Sequence, residues 1–329
     1  MFITDPYIQE PNTRKSVRYF INKKDSERDL YSSLYGFMFI QDIHLNVMPI
    51  GGRSENINFA VNIDPPSKEV EDLIRLGLCT YHGESWNLTK VVCKFIDEAI
   101  HMLAYYGKTY YEIIYFYIDE SKNNIKSFMI ERILNNNIRD TFGFYWQFIP
   151  KNILEPEEEV LKRFIWLPKN DLLVLSIPKA IGGVKKYKRL LTELQWLSKC
   201  TIPEFVKEGM SVQQEIKGYD FLIYRENQEI FLAKITKHLG WTARGTFSER
   251  SFEFYQIYRY LKFERIKAIL REYVLDNLNK SLKIIGNKME FKARIKLEGI
   301  PSHEDYDSYI KQLLDGSLQF SEAVKLMRI

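Results

Sequence analysis

The sequence predicts an α+β fold: an N-terminal wing with an antiparallel β meander and helices, then one long spine helix, a basic-faced strand and a C-terminal helical region. Three observations carry this. From Glu249 to Ile285 there is no Pro or Gly, and Thr246-Phe247-Ser248-Glu249 reads as a capping box at its start. About 38 helical residues would span roughly 57 Å. Thr109–Ile118 is β-branched and aromatic, and Ile125–Ile133 returns after a turn at Asp119–Asn124, as antiparallel partners do. Beyond the helix, Met289, Phe291, Ala293, Ile295 and Leu297 alternate with Lys288, Glu290, Lys292, Arg294 and Lys296, which gives a strand one packed face and one basic face.

Taken in order, residues 1–84 read as irregular, with turn signals at Asn12, Gly51-Gly52 and Asp64-Pro65-Pro66 and one short helix from Ser67 to Leu76 stopped by Gly77. Residues 85–206 form an α/β region. Thr89 caps a helix through Tyr106, closed by Gly107, with Val92, Phe95, Ile96, Ala99, Ile100 and Leu103 on one face. The meander follows, then strand-like runs at Phe142–Ile149, Phe164–Leu167 and Asp171–Ile177, with the acidic stretch Glu155–Glu159 as a solvated loop between them. Gly182-Gly183 opens a helix from Val184 to Lys199, which Pro203 bends or ends. Residues 207–245 are a short connecting region containing a strand at Phe221–Tyr224, and Phe231–Trp241 leads into the long helix.

Residues 246–329 complete the chain. The long helix is apolar all round at first, through Phe252, Phe254, Tyr255, Ile257, Tyr258, Tyr260 and Leu261. Phe263, Ile266, Leu270, Tyr273, Val274, Leu278, Leu282 and Ile285 then narrow to a single stripe, and Gly286-Asn287 supplies a stop. Ser302 caps a helix to Leu314 that Gly316 ends, and Ser321–Ile329 adds a last helical turn or two.

The composition excludes several classes. With 45% hydrophobic and 27% charged residues, the chain is folded rather than disordered. No 18-residue apolar run exists, so no membrane partner is expected, and Met1–Pro6 lacks the pattern of a secretory leader. Cys79, Cys93 and Cys200 are unclustered, which points to a reducing compartment without disulfides. The charge is unevenly placed. Residues 234–296 hold 15 Lys and Arg against 6 Asp and Glu, a net of +9, whereas the rest holds 32 against 37, a net of −5. The late segment therefore suits a polyanion. A helix laced with pairs such as Glu264 and Lys267 would use up part of that charge.

No catalytic constellation emerges. His44, His82, His101, His238 and His303 are scattered, so no metal site or cofactor is expected, and the usual nucleotide-binding and hydrolase motifs are missing. Gly182-Gly183-Val184-Lys185-Lys186 has the look of a phosphate-binding turn but lacks the other P-loop positions. Glu215-Ile216-Lys217 and Glu290-Phe291-Lys292 each match the E-x-K half of a metal-dependent nuclease, without an upstream Asp to complete it. The expectation is no enzyme.

In the order of its elements the chain resembles the portal (head–tail connector) proteins of tailed bacteriophages. The carrying features are Ala104-Tyr105-Tyr106-Gly107-Lys108-Thr109-Tyr110-Tyr111, the Phe148-Ile149-Pro150 exit, and Asp171–Ser176 before Ile181-Gly182-Gly183. Ala233–Trp241 before the long helix, that helix and the strand after it, and Gly316-Ser317 with Ser321-Glu322-Ala323 continue the match. Portals place a clip of some tens of residues between two stem helices, and about 207–230 serves here, as in a reduced-clip or portal-derived member.

The resemblance implies a homo-oligomeric ring at a capsid vertex, assembled in the host cytoplasm and carried in the virion. Its lumen would pass double-stranded DNA without sequence preference, in packaging and ejection. The implied partners are the major capsid protein, the packaging terminase and a head–tail adaptor. A ring that lets DNA slide needs diffuse charge without base readout. The candidate DNA-facing residues are Lys234, Lys237, Arg244 and Arg250; the candidate subunit-interface residues are Phe252, Tyr255, Tyr258 and Leu261. Two alternatives stand beside this: a nuclease using Glu215 and Lys217, and a basic nucleic-acid-binding protein using Lys292, Arg294 and Lys296.

Overall fold

The computed structural model describes residues 33–48, 59–78, 87–118, 124–133, 135, 138–148, 164–199, 221–243, 253–319 and 321–322. In chain order the first elements are α1 (Leu34–His44), β1 (Ala60–Asp64), α2 (Lys68–Leu78), α3 (Leu88–Tyr106), β2 (Lys108–Tyr117) and β3 (Ile125–Ile133). Strands β4 (Ile138–Thr141), β5 (Phe144–Phe148), β6 (Phe164–Leu167) and β7 (Leu172–Ser176) follow. Helices α4 (Gly183–Lys199), α5 (Phe221–Thr236) and α6 (Glu253–Met289), strand β8 (Arg294–Glu298) and helix α7 (His303–Leu314) complete them. The fold is mixed α+β with antiparallel sheets and one long helix late in the chain.

Among the described residues, Asn46–Ser176 and Arg271–Ile300 belong to one compact unit, and Asp29–Leu45, Ile177–Leu270 and Pro301–Ile329 to another. In the first unit, Asn87 rather than Thr89 caps α3, its carboxamide oxygen accepting from the Lys90 amide at 2.9 Å. Gly107 closes that helix at φ 75 and hands the chain to β2. β2 is the centre of a three-stranded sheet in the order β3-β2-β7, antiparallel on both sides. Its middle residues are buried whichever face they point to, which explains a run without alternation. A second sheet, β4-β5-β6, stands apart in the pairing. The strand expected over Phe142–Ile149 is present as β5 but starts later: Phe142 and Gly143, both with positive φ, make the turn between β4 and β5.

Four further expectations about elements need correction. Residues before 70 are not all irregular. Ser33 caps α1, and β1 alternates Val61 and Ile63 inward against Asn62 and Asp64 outward as it pairs with β8. The α2 helix continues past Leu76 through Gly77, because a Cβ there would meet the Phe128 ring; glycine serves packing, not termination. The Phe221–Tyr224 strand is the first turn of α5. A short apolar run does not discriminate strand from helix, and here it opens 16 residues without Pro or Gly. Gly286 likewise does not stop the long helix, which ends at Met289, with Glu290 at φ 60.

Gly286 is instead where the returning chain crosses the helix. Its carbonyl accepts from the Phe291 amide at 3.0 Å, and any Cβ would overlap the Phe291 carbonyl oxygen. The regular strand is accordingly shorter than the alternation suggested and begins at Arg294. Asn279 docks it to the helix, donating to the Ile295 carbonyl at 3.0 Å and accepting from its amide at 2.8 Å. Val274, Leu278, Leu282 and Ile285 are fully buried on the same helix, as the single stripe predicted. Each such side chain contributes roughly 1.5–3 kcal/mol by leaving water.

In the second unit, Phe39 of α1 lies among the rings of Tyr187, Trp241 and Phe263. The buried stripe of α4 is Tyr187, Leu190, Leu191, Leu194 and Leu197, and α4 packs on both α1 and α5. α7 begins with a full capping box. Ser302 Oγ accepts from the Asp305 amide, and the Asp305 carboxylate accepts from the Ser302 amide at 2.7 Å. Its Tyr306 and Leu313 close over Ile257, Leu261 and Ala268 of α6.

Candidate nucleic-acid interface

The predicted DNA-facing residues fall around the end of α5 and the turn after it. Thr236 has its hydroxyl 2.8 Å from the carbonyls of Leu232 and Trp241, and the amides of Leu239 and Gly240 donate to the Thr236 carbonyl. Gly240, at φ 82, lets this turn touch the backbone of α6: a Cβ would fall within 3.0 Å of the Arg259 carbonyl oxygen. Arg259 answers from α6. Its buried guanidinium donates to Thr236 Oγ1 at 2.9 Å and to the Trp241 carbonyl. Burial lowers its pKa, against which the neighbouring Tyr255 acts. Trp241 fixes the far side, its indole donating to Asp42 Oδ2 at 2.9 Å. The turn is therefore held rigidly from two directions.

Lys234 in the last turn of α5 and Lys237 on the rigid turn are exposed, with no ion pair to a described residue. Arg244 and Arg250 lie outside the described residues, as do the Thr246–Glu249 capping box, Phe252, Glu155–Glu159, Pro203 and the Glu215/Lys217 pair. The structure adds cations that the sequence reading missed. His238, exposed overall with its ring partly shielded, has its pKa lowered first by burial and further by the charges of Lys262 and Lys186; its hydrogen bond at Ile235 and the Glu193 carboxylate oppose this. Lys186 of α4 and Lys262 of α6 therefore share the neighbourhood of Lys237 and His238. Lys186 belongs to the Gly-Gly-Val-Lys-Lys turn already singled out. Lys262 gave no signal of its own, one cation among many on a long helix. Its ammonium lies 5.2 Å from the Tyr258 ring centre.

The expected subunit-interface residues separate. Leu261 is 0% exposed, covered within its own chain by α7, and Tyr258 is half-buried in the same cluster. The breadth of the apolar surface at the start of α6 is thus met in part by the chain itself, and Leu261 is a core residue rather than a contact for a neighbour. Tyr255 remains exposed, beside Phe254. Other apolar side chains of this unit are more open, among them Trp196 on α4 and Ile230 and Phe231 on α5, each more than half accessible, as are Leu34 and Leu314.

The basic face around β8 is less free than its sequence suggested. Lys296 pairs with Asp64 at 2.5 Å, Lys288 with Asp171 at 2.8 Å, and Arg294 lies 4.0 Å from Asp276; Lys292 is exposed. Glu290 and Lys292 are both exposed, and among the described residues no group of three His, Cys, Asp or Glu could hold a metal ion. No described helix is long and apolar enough to cross a membrane. Set against protein-family models and curated proteins, the chain matches none.

Proposed function

We propose that this chain is a subunit of a portal-like homo-oligomeric ring through whose lumen double-stranded DNA passes. The observation that carries the reading is the layout of one compact unit. Two packed helices, α4 and α5, flank residues 200–220, a shorter stretch than the 207–230 expected because residues 221–230 belong to α5, and are followed by a rigid turn and the long helix. That order resembles the two stem helices, clip and channel-side segment of portals, and it depends on residues 221–236 being a helix. The chemistry fits as well. Trp196, Ile230 and Phe231 are apolar surface that a neighbouring subunit would cover, while Lys234, Lys237, Lys186 and Lys262 supply charge without a base-reading motif. The capsid protein, a packaging terminase, a head–tail adaptor and a place in the virion belong to this proposal. So does the lack of any hydrolysis of ATP or DNA by the chain alone.

Native mass spectrometry of the purified chain, alone and with capsid partners, tests it together with negative-stain imaging. The expected result is a closed ring, lost in Trp196→Glu/Phe231→Glu while the far-ultraviolet circular dichroism is retained. A chain that stays monomeric at high concentration under both conditions rejects the reading. Magnesium- or manganese-dependent cleavage of plasmid DNA that Glu215→Gln abolishes would put the nuclease in its place.

A further inference from the structure

The β4-β5-β6 sheet has two unlike faces. Directly opposed residues share a face, as do residues two apart on one strand. The register Ile138↔Gln147 and Tyr145↔Leu167 therefore defines one face, and Arg139↔Trp146↔Trp166 with Thr141↔Phe144 the other. The first is core: Ile138, Gln147 and Leu167 are buried, and Tyr145 packs with Tyr110, Ile133 and Leu172. The second is open. Phe144 is 58%, Trp146 39% and Trp166 54% exposed, and Phe142 at the hairpin tip is 96% exposed.

Phe142 is also the wrong residue for its turn. Two-residue hairpin loops with positive φ at both positions favour Asn-Gly or Asp-Gly, whereas Phe142 holds φ 53 beside Gly143 at φ 80. A bulky side chain in the left-handed region costs stability, and one almost wholly in water recovers none of it. Neither folding nor turn chemistry accounts for this residue.

We infer that the Arg139/Phe142/Phe144/Trp146/Trp166 face docks flat on a partner protein whose surface offers an apolar slot bordered by a carboxylate. The composition is that of an interface core, aromatic with one Arg and without Lys, Asp or Glu. Arg139 is exposed and has no ion pair or hydrogen bond among the described residues, so among those residues the face presents a single unmatched positive charge, which calls for an acidic counterpart. One cation is too few for a polyanion, whose binding grows with each phosphate neutralised. A lipid surface fits poorly too. Asp140, on the reverse face next to Thr141, pairs with Lys108 at 2.5 Å, roughly 7 Å from the tip at the strand rise. Edge-on insertion to the usual depth of about 5–10 Å would drag that ion pair out of water. The inference stands apart from the ring reading and uses none of its residues.

A random-peptide library displayed on yeast and selected on the full-length chain tests it, with counter-selection on Phe142→Asn and Arg139→Glu. Enriched peptides should combine apolar residues with Asp or Glu. A synthetic copy of one should lose about tenfold or more in affinity for each variant. Phe142→Asn should leave the thermal midpoint unchanged or raise it, since Asn suits positive φ. The inference is overturned if no enriched peptide is sensitive to these substitutions, or if Phe142→Asn lowers the midpoint. It is equally overturned if the variants instead abolish self-association or binding to phosphatidylcholine vesicles, which would assign the face to a second copy or to lipid.

Discussion

The two halves of α6 solve one problem in different ways. Each must hold a stretch of returning backbone, and each does so with a glycine for approach and a polar side chain for the hydrogen bonds. In the first half the turn at Gly240 lies against Arg259, whose guanidinium reaches Thr236 and Trp241 from a buried position. In the second half, the Phe291 carbonyl crosses Gly286, and Asn279 bonds both backbone groups of Ile295. A charged group serves in the first half, a neutral amide in the second. The charged solution lies on the side of α6 where Ile257, Leu261 and Phe263 are buried, while Phe254, Tyr255 and Gln256 leave another side open. The difference teaches that one helix can carry an open apolar edge and a buried charge within the same turns.

The largest effect should separate the two glycines. Gly240→Ala places a Cβ against the backbone of α6 and also at φ 82, where any side chain is strained. It should destabilise by about 3 kcal/mol or more, near the upper range for point substitutions. Gly286→Ala meets the Phe291 carbonyl but sits in helical backbone, where alanine gains about 1 kcal/mol of propensity, so its net cost should be smaller. Urea unfolding of both variants decides the order. Equal costs would mean that the Gly240 turn yields as easily as the chain after α6.

The polar pair sharpens the comparison in the opposite sense. Asn279→Ala leaves the amide and carbonyl of Ile295 without their partner and should cost about 1–3 kcal/mol. Arg259→Met removes a buried charge while keeping the volume, and the Thr236 hydroxyl can still serve the Trp241 carbonyl. Its cost should be within about 1 kcal/mol. A loss at Arg259→Met larger than at Asn279→Ala would make the guanidinium, and not its neighbours, the element that fixes the turn.

These contrasts also mark what could be read from residues alone. The long helix, the Val274–Ile285 stripe, the Gly107 cap, the β2–β3 pair and the Ser302 cap are local patterns, and the chain carries them within a few residues. β1 was hidden because five residues alternate too briefly to announce a strand whose partner lies more than 200 residues away. The first four residues of α5 are apolar in a way that strand and helix share, and Gly77 and Gly286 look like stops in the sequence because close approach by Phe128 or Phe291 leaves no local trace. Of the candidate interface, Lys234 and Lys237 were legible from the charge split. Lys186 and Lys262 join them only through tertiary packing, which also buries Leu261 within its own chain.

The smallest effect concerns α7, the helix that covers the first half of α6. The Asp305 carboxylate accepts hydrogen bonds from the Ser302 amide at 2.7 Å and its hydroxyl at 2.8 Å, and these hold its pKa below the ordinary 3.8. For a carboxyl group with a lowered folded pKa, the unfolded chain binds the proton first as pH falls. The stabilisation is therefore complete above the ordinary value and is lost as pH drops through the folded one. The carboxylate is exposed, so the contribution is modest, and Ser302→Ala should cost about 1 kcal/mol at neutral pH, as other lost caps do. Below the folded pKa of Asp305 the wild type loses the carboxylate arm of the box by itself, so the gap between it and Asp305→Ala should narrow. Hydrogen exchange at the Tyr306 and Asp307 amides, followed from neutral pH down to about 2 after correction for intrinsic rates, reads this on α7 directly. Protection there that stays constant while the rest of the chain weakens would show that packing of Tyr306 and Leu313 on Leu261, rather than the box, seats this helix on α6.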